Sequence, residues 1–214
     1  MNNGVKFGDK HSTNDWNLLM VNKSIGEAEP KLIDVDIPGS NGKLDLSEWT
    51  GEVLYNNRTL VFNFDIYDSP SNWWDLKRKI NNYLHGKKLK IILDQDNKYY
   101  YYGRCKVADF SNETTVAHIT IECDCDPFIY KNEITTETKE VSAGGEYTFT
   151  NSKMSVVPTL TLSAAMTLTF NNKSISLEAG TYQILDIRFV EGTNTIGVTT
   201  GTGTLTVSYQ EGSL

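Results

Sequence analysis

Residues 34–66, DVDIPGSNGKLDLSEWTGEVLYNNRTLVFNFDI, restrict this chain to folded-back extended structure more strongly than any other segment. Turn chemistry recurs at Pro38-Gly39, Asn41-Gly42 and Asn56-Asn57, where Gly and Asn accept the positive φ of tight reversals. Between the turns, apolar and polar residues alternate. Leu60, Phe62, Phe64 and Ile66 fall on one face, and Val61, Asn63, Asp65 and Tyr67 on the other, the period of a half-buried strand. Leu44 and Leu46 alternate with Lys43, Asp45 and Ser47 in the same way. The segment holds no catalytic grouping. It reads as a shaped β-ribbon, an element that holds a partner.

The bulk numbers limit the rest. A chain of 214 residues suits one large domain or two small ones, and 39% hydrophobic with 11% aromatic content supplies a packed core. Twenty Lys and Arg against 27 Asp and Glu give a net charge of −7, which argues against a general nucleic-acid binder, since phosphate affinity comes from Lys and Arg. The N-terminus is polar, with no apolar stretch of the signal-peptide kind. No run of about 18 apolar residues occurs, so neither secretion nor a membrane span is expected. Cys105, Cys123 and Cys125 are odd in number and lack framework spacing, which fits a reduced compartment.

Composition shifts near Pro127. All Trp, Cys and His lie in residues 1–130, whereas residues 131–214 are dense in Thr, Ser and Gly. This predicts a domain over 1–130, a polar linker over 131–140 (KNEITTETKE) and a small antiparallel β-sandwich over 141–214. One helix is signalled, at 69–85. Ser69-Pro70 opens it, Trp73, Leu76 and Ile80 share a face, and Gly86 stands at the C′ position. Lys77, Arg78, Lys79 and His85 are placed toward the negative pole of its dipole, a sufficient structural account of that basic run. Strands are expected at 89–93, 99–107 and 116–126, then in short pieces from Thr159 to Tyr209.

Candidate chemistry is sparse. Cys123-Asp124-Cys125 lies inside a strand pattern, two residues apart rather than in the loop spacing of zinc sites, and reads as small buried residues. Tyr99 to Tyr102 split between two faces of a strand, so one pair fills core and the other, Tyr100 with Tyr102, is left for a partner protein, with a carbohydrate site as the alternative. Gly201-Thr-Gly203 is followed by a strand instead of a helix, so it is a turn and no phosphate loop. The expectation is a chain with no catalytic, cofactor or metal site.

Several linked motifs carry a resemblance. VDIPG-x-x-G-x-LDL (Val35 to Leu46), Gly51, Tyr55-x-Asn57-Arg58 and Phe62-x-Phe64 resemble the signature of the distal tail protein of long-tailed phages of Gram-positive hosts. The opening Gly4-x-x-Phe7-Gly8 with Asp15-Trp16, and the close Gly201-x-Gly203 with Ser208-Tyr209-x-Glu211-Gly212-x-Leu214, are similar to the two ends of that family. The resemblance implies a mainly β fold: an N-terminal β-barrel-like, ring-forming domain followed by a galectin-like β-sandwich. It implies a structural virion protein, assembled in the host cytoplasm, whose hexameric ring joins tail tube to baseplate or tip. The implied partners are its own copies, the tube protein, a tail-associated tip protein or fibre, and the tape measure. DNA would pass through the lumen without specific binding, and six acidic copies would discourage it from sticking there. An arm at about 34–55 would clasp the neighbouring subunit, with Pro38, Gly39, Leu44, Leu46 and Trp49 joining Tyr100 and Tyr102 as candidate contact residues. The alternative is a carbohydrate- or receptor-binding module of a tail tip. Residues 131–214 hold no His, no Trp and one Arg, which weighs against sugar binding of the galectin kind.

Overall fold

A computed structural model describes residues 3–49 and 51–214. The chain forms two compact units, one running to Ile129 and one from Tyr130 to Ser213. In the first, β1 (Val5–Phe7), β2 (Lys10–His11), β3 (Leu18–Ile25), β4 (Asp34–Asp36), β5 (Lys43–Asp45) and β6 (Arg58–Ile66) precede α1 (Trp73–Leu84), the one α-helix among the described residues. Then come β7 (Lys88–Leu93), β8 (Tyr99–Asn112) and β9 (Ala117–Cys125). The main sheet is antiparallel with strand order β2-β1-β7-β8-β9-β6-β3. Its end strands β2 and β3 do not pair, so among the described residues the sheet is open and the barrel-like closure expected from the resemblance is absent. With only two residues, β2 offers too short a ladder to close on β3.

The alternation in β6 is realised side by side with that of its neighbour. Leu60, Phe62, Phe64 and Ile66 are buried and register with Cys123, Ile121, Ile119 and Ala117 of β9. Trp73, Ile80 and Leu84 of α1 pack into the same core with Val5, Phe7 and Trp16, and Leu76 is half-buried at its margin. The helix is preceded by a 3-10 turn at Pro70–Asn72, and Ser69 makes no side-chain cap. His85 N–H closes onto Asn81 O, and Gly86 follows with φ 79°. Lys77, Arg78 and Lys79 therefore sit in the middle of α1 and its last turn has no basic residue, so the dipole does not explain them.

The three thiols lie side by side in this core. All are fully buried, and Cys123 Sγ lies 3.3 Å from Cys105 Sγ. The contact with Cys105 and burial raise the Cys123 pKa, while burial foremost pushes Cys125 up to about 12, so both thiols stay protonated. Arg58 is also buried, 2% exposed, with its Cζ 5.8 Å over the Tyr101 ring and two of its nitrogens without a hydrogen-bond partner.

The chain passes from the first unit into the second within β10 (Ile129–Lys131), and the second continues with β11 (Thr135–Ser142), β12 (Gly145–Asn151), β13 (Thr159–Leu162), β14 (Met166–Phe170) and β15 (Lys173–Leu177). It continues with β16 (Gly180–Gln183), β17 (Gly192–Thr200), β18 (Thr202–Tyr209) and β19 (Gly212–Ser213). Two four-stranded sheets, β11-β18-β13-β16 and β12-β17-β14-β15, enclose one core that includes Phe149, Leu160, Leu168, Phe189, Ile196 and Val207. The polar segment 131–140 is not a spacer. Its greater part is edge strand β11, paired with β18 from Thr135↔Tyr209 to Ser142↔Thr202. An edge strand with one solvated face needs few apolar residues, and cross-strand hydroxyls meet instead: Thr136 with Ser208 and Thr138 with Thr206.

The closing motif also has a local cause. Glu211 accepts hydrogen bonds from Lys131 Nζ (2.8 Å) and Ser152 Oγ (3.0 Å), and from Thr135 Oγ1. Burial opposes its ionisation, but those three donors outweigh it and hold the pKa below the usual carboxylate value. A side chain at Gly212 would run into Met154, whose N–H donates to Gly212 O.

Candidate functional site

The arm grows out of the main sheet as a continuation of the β3–β6 pair. Beyond Ile25↔Leu60 the two chains stay bonded through Gly26 N–H to Thr59 O (2.9 Å), Asn56 N–H to Glu29 O (2.8 Å) and Lys31 N–H to Leu54 O (2.8 Å). Leu46 N–H to Ile33 O (2.8 Å) carries the ladder on into β4 and β5, which pair as Asp34↔Asp45, Val35↔Leu44 and Asp36↔Lys43. The reversal at 37–42 uses Gly39 and Gly42 at φ 83° and 76°. A side loop leaves the ribbon after Leu46. Asp45 accepts from Ser47 N–H (2.8 Å), and the hydrogen bonds from Ser47 lower the Asp45 pKa. Ser47 Oγ in turn accepts from Ile33 N–H (2.9 Å), which pins the loop to the ribbon.

Register gives the ribbon two unlike faces. Ile33, Val35, Ile37 and Leu44 share one, because residues directly opposite in an antiparallel pair project to the same side. Asp34, Asp36, Lys43 and Asp45 share the other, with Asp34 directly opposite Asp45. Neither face is covered, since every residue from Lys31 to Asp45 is exposed. Among the described residues, seven of the sixteen large exposed hydrophobic residues fall between Leu32 and Leu54, with Leu32 at 70% and Trp49 at 75%. A two-stranded hairpin without a third layer is marginal in water, and a dense exposed apolar surface is uncommon on a monomeric protein.

The residues singled out from sequence divide accordingly. Pro38 and Gly39 form the exposed tip, Leu44 lies on the apolar face, Leu46 is half-buried at its root, and Trp49 projects from the side loop. Tyr102 is 37% exposed on the outer face of the main sheet, with Lys88 Nζ 4.8 Å over its ring. Tyr100 does not share that exposure. It is 8% exposed beneath Lys90 Nζ, 4.2 Å over its ring, while the core of this unit takes Tyr101 from the same strand start. Leu32, Ile33, Val35, Ile37 and Leu54 were missed as contact candidates, although Ile33-x-Val35-x-Ile37 shows the same alternation as Leu44-x-Leu46.

Other candidate chemistry is absorbed by structure. His118 Nδ1 lies 2.6 Å from Asp65 Oδ1 across neighbouring strands. Gly201, at φ 95°, makes the β17–β18 turn, where a side chain would strike Ala165 O. A shallow cavity of about 620 Å³ on the second unit is lined by Glu146, Thr169, Asn171, Asn172, Thr193 and Thr195 among others, with no Lys, Arg or His.

No family model matches the sequence, and no curated protein matches it by sequence. A solved structure does fit along its whole length. The crystal structure of the SPP1 Dit protein, gp 19.1, described as a paradigm of the hub of the adsorption apparatus in phages infecting Gram-positive hosts, superposes with a TM-score of 0.73. The match covers 99% of each chain at 14% identity. The chain has the Dit fold. Identity this low leaves the likeness in the backbone, and the Dit fold here means a mainly β chain with one helix, an open sheet in the first unit and a β-sandwich in the second.

Proposed function

We propose that this protein is a structural hub of a phage tail, and that its copies join through the arm into a closed ring, six in number by the family resemblance. The observation that carries the reading is the arm itself, a hairpin that buries nothing of its own yet exposes a continuous apolar face. The shared fold with a tail hub protein supplies the setting. The ring would stand where the tube ends, with tube protein on one side, a tip protein or fibre on the other, and tape measure and DNA passing through. Candidate contacts on the arm are Pro38, Gly39, Leu44, Leu46 and Trp49, and on the sheet Tyr102. The role is one of assembly, with no catalysis.

The mass of the particle in solution tests this. At high concentration the full chain is expected near six times 24.0 kDa by light scattering, with rings visible in negative stain. Deletion of residues 39–50 should leave a folded monomer. Rings formed by the deletion variant would remove the arm from the argument, and a monomer at every concentration would remove the hub.

A further inference from the structure

The side loop of the arm has a complement elsewhere on the same unit, and we infer that Trp49 of one copy packs onto the open face of the Trp74–Phe110 pair of the next, with Glu48 meeting the basic run of α1. This rests on the self-association reading above and names the surface that receives the arm. On the donor side, Trp49 is 75% exposed and follows Glu48 directly. Both residues are exposed, and Glu48 O accepts a hydrogen bond from Gly51 N–H (2.8 Å).

The receiving side is a groove of about 240 Å³ between α1 and the far half of β8, lined by Trp74, Lys77, Asn81, Val107, Asp109 and Phe110 among others. The Trp74 and Phe110 rings lie 5.1 Å apart, and Lys77 Nζ rests 5.7 Å from one and 5.8 Å from the other. Trp74 is 52% exposed, so a large aromatic surface is left open beside a cation. Aromatic side chains prefer such edge-and-face company, and a Lys over the rings adds a cation–π contact.

Charge distribution points the same way. From Leu76 to Leu93 there are six Lys and Arg and no Asp or Glu, in a chain whose net charge is −7. Lys77, Arg78 and Lys79 sit mid-helix, where the dipole gives no reason for them, and Arg78 pairs with Asp75 of the preceding turn. Asp109 in the groove lining is the opposing charge on this face. The arm is acidic: Glu29, Asp34, Asp36, Asp45, Glu48 and Glu52 stand against Lys31 and Lys43.

Placement makes the contact head-to-tail. The arm leaves the β3–β6 end of the sheet, whereas the groove belongs to α1 and β8, and within one copy both Trp49 and Trp74 remain exposed. Two different surfaces joining copy to copy, with one such contact at each junction, generate a ring or a filament.

Complementation tests the pairing. Trp49→Ala disables the donor, and K77E/R78E/K79E disables the receiver without touching core. Each variant alone should assemble at least about tenfold more weakly than the parent, the loss usual for a central aromatic anchor or a reversed charge cluster. Mixed one to one, they should give a heterodimer and nothing larger, since one intact donor meets one intact receiver. Trp74→Ala should behave as the receiver variant, with an unchanged melting temperature showing that it is folded. A triple variant and a Trp74→Ala variant that both assemble like the parent would overturn this pairing while leaving the arm as the assembly element. A parent chain that never assembles would instead overturn the hub reading beneath it.

Discussion

Replacing Glu211 by Ala should unfasten the second unit without disturbing the first. The carboxylate gathers three donors that are all far from it in the chain: Lys131 at the start of the unit, Thr135 on β11 and Ser152 after β12. A hydrogen bond to a charged group contributes about 1.5–3 kcal/mol when buried, but the Glu211 side chain keeps 20% of its exposure and Lys131 keeps 39%. The two hydroxyl bonds are then worth about 1 kcal/mol each, and the lysine pair at most about 1 more. The expected loss is about 2–3 kcal/mol. All four Trp lie in the first unit, so Trp fluorescence reports that unit alone, while far-UV circular dichroism reports both. Urea unfolding of Glu211→Ala should shift the dichroism transition and leave the fluorescence transition in place. The pH dependence follows from the depressed pKa: the contribution is complete above the unfolded-state value near 4.3 and fades as pH falls through the lower folded value. A loss under about 0.5 kcal/mol would refute the fastening role, and equal shifts of both signals would refute the separate unfolding of the two units.

Three further outcomes are expected. Ile80→Ala, at a fully buried position under α1, should cost about 2–5 kcal/mol in chemical unfolding, and half-buried Leu76→Ala should fall at or below the low end; equal costs would show the helix face misplaced. Arg58→Met should stabilise the first unit by about 1–3 kcal/mol, because it removes a buried charge with two unpaired nitrogens and keeps the stem, whereas a clear loss in melting temperature would mean the Tyr101 contact dominates. Residues 1–132 expressed alone should fold and still assemble, since every contact assigned to ring formation lies before Ile129; a folded fragment that stays monomeric while the full chain assembles would overturn that division.

The legible part of the fold was the part with strict periodicity. The burial of Leu60, Phe62, Phe64 and Ile66 follows from alternation alone, and so do most strands between Thr159 and Tyr209. The elements that escaped are those where exposure hides the pattern. β11 looks like linker because an edge strand can be polar on one face and only half-buried on the other, and β1 and β2 are too short to show a period. Open or closed sheet was not legible at all, since closure depends on how the end strands meet and no residue pattern records that. At the arm, turn residues and Leu44 were visible from sequence, whereas the acidic face appears only once register sets Asp34 opposite Asp45. The receiving groove depends on β8 continuing past Val107 to bring Phe110 beside Trp74, and a bulge between Val107 and Asp109 breaks the alternation there.

The buried thiols give the molecule a built-in clock. Cys105, Cys123 and Cys125 are sealed in the native first unit, and burial holds Cys123 and Cys125 in the thiol form, so an alkylating reagent finds nothing to attack until that unit opens. Reagent uptake therefore counts opening events rather than accessible surface, and in the tail particle proposed above it would do so where optical signals from other proteins overlap. A subunit locked in a ring should label more slowly than a free one by the factor with which assembly suppresses its opening. Mass spectrometry of alkylated tails would then measure, copy by copy, how firmly neighbours hold each other.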